Sequence, residues 1–190
     1  MKVPKLPKQI VLDRLILRFL RPDDAESLHV ALSDAAVMRY WSTGPHDTLA
    51  QTRSYIAGNM PDGEYPALGI AERAKGPDAP AIGWVSLWEK RDGIGEIGYI
   101  LRPDCRGKGY AREAVATVID YGFASQGYRK IAADIDPDNR PSLRLLEALG
   151  FKQEGVLRAH WQTHIGIRDS VMMGLLESEW QERASVPPGD

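Results

Sequence analysis

The feature that most constrains this fold is a predicted strand, a short basic loop and a predicted helix in direct succession over residues 95–114, GEIGYILRPDCRGKGYAREA. The loop region carries two glycines and the positive charges of Arg102, Arg106, Lys108 and Arg112. Free backbone N–H groups at a helix start attract anions, and glycines let a ligand approach the backbone closely. The segment therefore predicts a site for a phosphate or pyrophosphate, with an ordinary solvent-exposed basic turn as the alternative.

Two glycine-rich nucleotide-binding motifs are excluded, because the neighbouring residues and predicted elements do not fit them. Gly93, Gly95 and Gly98 match G-x-G-x-x-G as text, but they introduce and interrupt a predicted strand, and no helix follows as a Rossmann fingerprint requires. A P-loop is excluded because Gly109 follows Lys108 at the position where Ser or Thr should bind magnesium. The anion site predicted for this loop is therefore of another type.

Composition narrows the classes of function further. The 190 residues carry 24 Lys and Arg against 26 Asp and Glu, a formal net charge of −2, so the global basic field of a non-specific nucleic-acid binder is missing. The single cysteine, Cys105, cannot form an internal disulfide, and the amino-terminal residues lack the apolar stretch of a secretory signal. No apolar run reaches transmembrane length. We expect a cytoplasmic protein without a direct nucleic-acid or membrane partner.

Hydrophobic periodicity predicts alternating groups of strands and helices. Helices are expected after Pro22, after Thr48 as far as about Gly58, for roughly 16 to 18 residues after the basic loop, and from Asn139 to Leu149. Thr48 and Gln51 have the spacing of a capping box. In the helix after the loop one apolar stripe is formed by Ala111, Ala114, Val115, Val118, Ile119 and Gly122. The predicted strands cover residues 10–20, 65–73, 81–91, 95–101, 129–135, 151–161 and 168–176.

The order of these elements predicts an α+β fold. Three successive strands between residues 65 and 101 suggest an antiparallel meander. Neither an internal repeat nor a low-complexity linker divides the chain, so we expect a single domain over residues 1–190. Its core should lie at about 10–180, and the tail at 181–190, which ends in SVPPGD, is expected to be disordered.

Two motifs carry a resemblance to a known family. Arg106, Gly109 and Ala111 in RGKGYA fit the R/Q-x-x-G-x-G/A signature of the GCN5-related N-acetyltransferases (GNAT), and the strand before and helix after the loop fit as well. Downstream, DPDNRPSLRLLEALGF (136–151) resembles the second conserved segment of that superfamily. The resemblance implies the GNAT acyl-CoA N-acyltransferase fold, a mixed and mostly antiparallel sheet flanked by helices, with acetyl-CoA as co-substrate and no metal.

Within the superfamily, the chain is similar to the RimJ/RimL-like acetyltransferases over most of its length, from about residue 11 to about residue 180. The matching stretches are DRLILRFLRPDDAESL, VMRYW, EIGYILRPDCRGKGYAREA, NRPSLRLLEALGF and RDSVMMGLLESEW. Members of this group acetylate ribosomal-protein N-termini or small amines. The resemblance therefore implies the donor and the reaction more firmly than the acceptor.

The resemblance also implies which residues hold acetyl-CoA. Backbone N–H groups along Tyr99, Ile100 and Leu101 are candidates for the acetyl carbonyl and the pantetheine arm, because in this superfamily that strand splays from its neighbour; Gly98 is a candidate marker of the disruption. Asn139 resembles the residue that binds the arm, although Asn is also a preferred helix N-cap. The pyrophosphate is expected on the loop and helix start, formed by Arg106, Gly107, Lys108, Gly109, Tyr110, Ala111 and Arg112.

Two residues are predicted to be catalytic. Glu96 lies where the resemblance places a carboxylate that takes the ammonium proton of the acceptor, directly or through water; an ordinary solvent-facing strand residue is the alternative. Many superfamily members use a Tyr in the second segment to protonate the departing thiolate, but the corresponding residue here is Leu146. Ser142 is the nearest hydroxyl on that helix and is the candidate donor, against an ordinary first-turn serine.

Other chemically suggestive residues carry less weight. Trp41 is the candidate acceptor-binding residue, because the resemblance puts its segment near the acceptor. His160 and His164 are four apart, but the residue after His160 is Trp161 instead of Glu, so a zinc site is not expected. Cys105 has no histidine near it in sequence and is not expected to act as a nucleophile.

These observations together predict an acetyl-CoA-dependent N-acetyltransferase acting on a primary amine. The resemblance favours a protein N-terminal amine as the acceptor. A small-molecule amine, such as a polyamine or an aminoglycoside, is one alternative. A non-catalytic acyl-CoA sensor is the other, supported by Leu146 in place of the usual Tyr. The sequence leaves open whether the protein is a monomer or a homodimer.

Overall fold

The computed structural model describes residues 6–185, which form one mixed sheet flanked by helices. The helices are α1 (Ala25–Leu32), α2 (Ala35–Met38), α3 (Leu49–Ala57), α4 (Tyr110–Gln126), α5 (Arg140–Ala148) and α6 (Glu177–Ser185). The strands are β1 (Gln9–Val11), β2 (Leu15–Phe19), β3 (Ala67–Glu72), β4 (Gly83–Arg91), β5 (Ile94–Leu101), β6 (Lys130–Ile135), β7 (Lys152–Thr163) and β8 (Gly166–Leu176). Apart from the first predicted strand, the predicted elements are confirmed, to within two or three residues at their ends.

The sheet has the strand order β1-β2-β3-β4-β5-β6-β8-β7. Every neighbouring pair is antiparallel except β5 and β6, which run parallel. The predicted meander is β3, β4 and β5, and α4 makes the crossover from β5 to β6, as a parallel pair requires. The predicted α+β class is therefore confirmed.

Helices cover the two faces of the sheet. Residues Ala114, Val115, Val118 and Ile119 of α4 are fully buried against one face, which satisfies the apolar stripe seen in the sequence. On the other face, α1, α2 and α3 pack over β3, β4 and the end of β5 around Trp84. Alternation along β4 and β5 puts Trp84, Ser86, Trp88, Glu96 and Gly98 on this second face.

The predicted strand at 10–20 is wrong in one respect, because it is two strands. The backbone N–H of Leu12 donates to the carbonyl of Leu15 at 2.9 Å, which closes a tight turn between β1 and β2. Arg18 of β2 is buried and forms an ion pair with Asp24 at 2.8 Å. The turn carries Arg14 at its end, and that position matters for the site described below.

The carboxyl-terminal end of the chain also differs from expectation. Residues 181–185, expected in a disordered tail, belong to α6. The helix is fastened by Trp180, whose indole N–H donates to Asp120, and by Arg183, which donates to the carbonyl of Ala148. The rest of the predicted tail lies outside the described residues. Among residues 6–185, no helix combines the length and the apolar character needed to cross a bilayer.

Candidate active site

A gap between β5 and β6 is the structural origin of the site. The two strands pair from Ile94 to Glu96, and the last partner of β5 in β6 is Ala132. Beyond that point residues 97–101 continue to pair with β4, whereas β6 continues to pair with β8 as far as Ile135. One edge of β5 is thus left without a strand partner, which is the splayed geometry expected near Gly98.

A cavity of about 390 Å³ lies beside this free edge and is called the smaller cavity below. It is bounded by the end of β5, the start of α4, the start of α5 and the segment from Ala36 to Trp41. The lining includes Tyr99, Ile100, Leu101, Arg106, Gly107, Gly109, Tyr110, Ala111, Arg112, Asn139 and Ser142. Every residue predicted from sequence to hold the donor is therefore in this lining, with the exception of Lys108.

The loop before α4 has the backbone geometry of an anion site. Gly107 and Gly109 have φ values of 76° and 80°, a region that disfavours side chains with a Cβ. Gly109 is the N-cap of α4, and no side chain caps the helix there. The first-turn N–H groups, the helix dipole and the exposed Arg106 and Arg112 therefore fit a phosphate.

Arg14 supports this loop and was missed by the sequence reasoning. Its Nη1 donates to the carbonyl of Lys108 at 2.8 Å, and its guanidinium forms an ion pair with Glu113 of α4 at 2.6 Å. It also lies over the ring of Tyr110, 5.2 Å from the centroid. No local signal marks Arg14 in the sequence, because its partners are more than 90 positions away.

Tyr99 and the start of α5 meet at the smaller cavity. The hydroxyl of Tyr99 lies 2.6 Å from Ser142 Oγ, and the Asn139 side chain accepts a hydrogen bond from the Ser142 backbone N–H at 3.3 Å. Asn139 is thus the N-cap of α5, as its residue type predicted. Leu146 is fully buried in the core, which confirms that this position offers no hydroxyl to the cavity.

A second cavity of about 520 Å³, called the larger cavity below, lies on the same sheet face as Glu96. The Glu96 carboxylate is mostly buried and accepts a hydrogen bond from Lys90 Nζ in an ion pair. Lys90 was not singled out from the sequence. Glu96 and Ser142 therefore line different cavities, the carboxylate in the larger and the hydroxyl in the smaller.

Trp41 stands between the two cavities. It lines both of them, as does its neighbour Tyr40. The Trp41 indole N–H donates to the hydroxyl of Tyr55 at 2.9 Å, and its ring packs edge-on against Trp84 with centroids 5.8 Å apart. These contacts hold Trp41 in an aromatic cluster that borders both cavities.

Carboxylates outnumber cations in the larger cavity. Glu96, Asp134, Asp136 and Asp169 line it together with a single guanidinium, Arg168. Arg168 forms ion pairs with Asp136, at 2.8 Å, and with Asp138. Burial raises the pKa of Asp136, but hydrogen bonds from Arg168 and from the Asp138 backbone N–H, together with the nearby positive charge, lower that pKa overall.

Asp134 forms no ion pair with a Lys or Arg among the described residues. It accepts the Trp161 indole N–H at 2.9 Å, and its other neighbour is His160 at 3.4 Å. Its side chain is only 12% exposed. Since an enclosed carboxylate is stabilised by a cation, the larger cavity suits a positively charged ligand.

The residues set aside from the sequence, as a nucleophile or as zinc ligands, are Cys105, His160 and His164. Cys105 is buried in the core, where desolvation raises the pKa of its thiol. In the described part of the chain, no group of three His, Cys, Asp or Glu side chains is arranged to hold a metal ion.

The family follows from comparison with known proteins. A family model described as an acetyltransferase (GNAT) domain matches residues 14–152, which include the whole lining of the smaller cavity and most of the lining of the larger. The chain belongs to the GNAT acetyltransferases. As a GNAT protein it is an acyl-CoA-dependent N-acetyltransferase.

Relatives agree over nearly the whole chain. The uncharacterized N-acetyltransferase p20 of Bacillus licheniformis is 33% identical over 171 residues, 88% of this chain and 96% of the relative. A GNAT-family acetyltransferase from Bacillus anthracis has a TM-score of 0.80 at 27% identity, covering 90% of this chain and 99% of the other. A Vibrio cholerae spermidine N-acetyltransferase, solved with CoA and spermine, has a TM-score of 0.74 at 24% identity, with coverage of 90% and 99%. The first two support the GNAT assignment, and the third shows likeness of fold.

Proposed function

We propose that the protein transfers an acetyl group from acetyl-CoA, held in the smaller cavity, to a primary amine that enters through the larger cavity. The observation that carries this proposal is that Tyr40 and Trp41 line both cavities, beside the free edge of β5. A thioester lying along that edge would face a nucleophile from the opposite side. Such an arrangement holds two reactants in one geometry and lowers the entropic cost of their encounter.

The donor would be held by backbone groups and by arginines. The amides of Gly107 and Gly109 and the first turn of α4 would bind the pyrophosphate, with Arg106 and Arg112 neutralising its charge. Lys108 does not line the smaller cavity, and its carbonyl is the group that Arg14 holds. The unpaired edge along Tyr99, Ile100 and Leu101 would bind the pantetheine arm and the acetyl carbonyl, as an added strand does.

The reaction needs a route for one proton from nitrogen to sulfur. The amine nitrogen forms a bond to the acetyl carbon, and Glu96 takes the ammonium proton directly or through water. Backbone N–H groups of the β5 edge would stabilise the oxyanion that develops on the carbonyl oxygen. The carbon–sulfur bond then breaks with its electron pair on sulfur, and the hydroxyl of Ser142 gives its proton to the thiolate. The proton that Glu96 took from the amine then restores the hydroxyl through water.

The lining of the larger cavity supports a cationic amine as acceptor. It combines the Trp41, Trp88 and Trp161 rings with Asp134 and Asp169, which form no ion pair with a Lys or Arg of the described chain, a combination that favours ammonium groups. Among the proteins of similar fold, the Vibrio cholerae enzyme is a spermidine N-acetyltransferase, which supports small cationic amines as candidates. The RimJ/RimL-like resemblance predicts a protein N-terminal amine instead, and that acceptor stays a prediction.

A panel of acceptors tests the proposal. Purified protein is given acetyl-CoA with peptide N-termini, polyamines or aminoglycosides, and free thiol and acetylated amine are both measured. We expect thiol release above background with at least one primary amine, strongest with a cationic one. Tight CoA binding without thiol release for any acceptor would favour the acyl-CoA sensor over the enzyme.

A further inference from the structure

Two hydroxyl groups from distant parts of the chain form a pair in the wall of the smaller cavity. Tyr99 comes from β5 and Ser142 from the first turn of α5, 43 positions later, and their oxygens are 2.6 Å apart. Both residues line the smaller cavity. The pair forms because the free end of β5 runs over the amino-terminal end of α5.

Each hydroxyl of the pair has one hydrogen to donate, which limits the hydrogen bonds that Tyr99 and Ser142 can form. Desolvation by burial raises the pKa of Tyr99 to about 12, so the phenol keeps its proton at neutral pH. When Tyr99 donates to Ser142 Oγ, the single serine hydrogen is free for another acceptor. The Ser142 carbonyl lies 3.4 Å from the phenol oxygen, a longer and weaker contact.

We propose that Tyr99 is a positioning residue for thiolate departure, donating to Ser142 Oγ so that the serine hydrogen points at the sulfur. This inference rests on the proposed function and adds to it a phenol supplied by the sheet. Leu146 of α5, which stands where many superfamily members have a Tyr, is a buried residue without a hydroxyl. Asn139 fixes the same turn of α5 by capping its backbone, so both ends of the serine are restrained.

The protons balance in this arrangement. As the carbon–sulfur bond breaks, its electron pair goes to sulfur and sulfur takes the Ser142 proton. Ser142 Oγ takes the Tyr99 proton in the same movement. Glu96 then releases the proton that it took from the amine nitrogen, and water carries this proton to the Tyr99 oxygen. One proton leaves nitrogen and one reaches sulfur, and no group is oxidised or reduced.

Kinetics of three variants test the pair. Tyr99→Phe and Ser142→Ala should each lower kcat about tenfold with little change in the KM for acetyl-CoA. Because the two hydroxyls act as one unit, the double variant should also lose about tenfold, whereas independent groups would lose about a hundredfold. Tyr121→Phe, which removes a phenol from α4 outside both cavities, is the matched control and should keep parental kcat.

A second measurement needs no turnover. The ultraviolet absorbance of the thiolate gives the pKa of the CoA thiol bound to each protein. A hydrogen bond to sulfur favours the thiolate, so the bound thiol should have a pKa about one unit lower in the parent than in Tyr99→Phe or Ser142→Ala. Arg106 and Arg112, the charged residues that line the same cavity, are unchanged in both variants.

The outcomes distinguish the positioning role of Tyr99 from the proposed acetyl-transfer function. Parental kcat and an unchanged thiol pKa in Tyr99→Phe would overturn the positioning role, and so would losses that multiply in the double variant. A parent that releases no thiol with any amine would overturn the proposed function. Comparing the pKa of the bound CoA thiol between parent and variants would still show whether the Tyr99–Ser142 pair donates a hydrogen bond to the sulfur.

Discussion

The guanidinium of Arg14 donates a hydrogen bond to the carbonyl oxygen of Lys108 at 2.8 Å. The turn between the first two strands therefore supports the loop that opens α4. Because the same side chain pairs with Glu113, it connects the loop to the first turn of that helix. The anion site thus depends on a contact made across the fold, beyond the glycines of the loop.

Replacing Arg14 should weaken donor binding without touching the catalytic groups. Arg14→Ala removes the support of the Lys108 carbonyl and one positive charge, and we expect the Kd for acetyl-CoA to rise about three- to tenfold. Calorimetry measures this Kd. Arg53→Ala, which breaks the exposed ion pair between α3 and Glu26 of α1 and lines neither cavity, is the control and should leave the Kd unchanged. An Arg14→Ala protein with parental affinity would contradict the supporting role.

The loop glycine gives a sharper test of the pyrophosphate site. Gly109→Asp puts a carboxylate where backbone amides should meet a phosphate, so acetyl-CoA affinity should fall by at least a hundredfold. Gly127→Asp is the matched control, since Gly127 lies at the other end of α4 with a similar positive φ of 67° and open space around it. Both variants place the same charge at a glycine of positive φ, so equal affinities in calorimetry would refute the assignment.

The role of Glu96 should appear in the pH dependence of turnover. Glu96→Gln keeps the shape of the side chain but removes the base, and kcat should fall by roughly 10² to 10⁴ near neutral pH. The loss should shrink as pH rises, because the acceptor amine is then increasingly neutral on its own. Stopped-time thiol assays between pH 7 and pH 10 check both features. Parental turnover at neutral pH would leave water or a backbone group as the proton acceptor.

Asp134 should set the preference for a cationic acceptor. Asp134→Asn keeps a partner for Trp161 but removes the negative charge, so the KM for a polyamine should rise about tenfold while the Kd for CoA stays constant. Asp92→Asn, at an exposed turn outside the cavities, is the control. A KM that is unchanged in Asp134→Asn would place the positive end of the acceptor elsewhere.

Asp24 should make folding stability dependent on acidity. Burial alone raises its pKa, but hydrogen bonds from Arg18 and from the backbone N–H groups of Ala81 and Arg21 lower it overall. A lowered pKa in the folded state stabilises the protein above the unfolded value near 3.8 and loses that effect as pH falls. Asp24→Asn should therefore cost about 3 to 5 kcal/mol in urea unfolding at pH 7 and less at pH 3. Asp23→Asn is the exposed neighbour control, and an equal cost at both pH values would contradict the account.

The repeating elements of this fold were predictable because their signals are local. The stripe of α4, the Thr48–Gln51 capping box and the Asn139 cap each depend on residues a few positions apart. The start of the anion loop was predictable for the same reason. Where a helix or a strand is defined by neighbours in sequence, the pattern is visible before the structure is known.

The remaining features depend on contacts between distant residues. Arg14 reaches a loop more than 90 positions away, and Tyr99 meets Ser142 only because β5 leaves β6. The buried Arg18 looks like a surface residue until Asp24 is placed beside it. Likewise, the surplus of carboxylates around Asp134 arises from β6 and β8 together. None of these pairings has a periodicity that sequence reasoning could detect.

The most direct test of the central claim is the stoichiometry of free thiol and acetylated amine formed by the parent protein from acetyl-CoA and a polyamine. The account predicts one thiol for each acetylamine, with both rates falling together in Glu96→Gln and in Gly109→Asp. Thiol released without acetylamine would mean hydrolysis in place of transfer. Neither product, with CoA still bound tightly in the smaller cavity, would contradict the claim that the two cavities form one acetyl-transfer site.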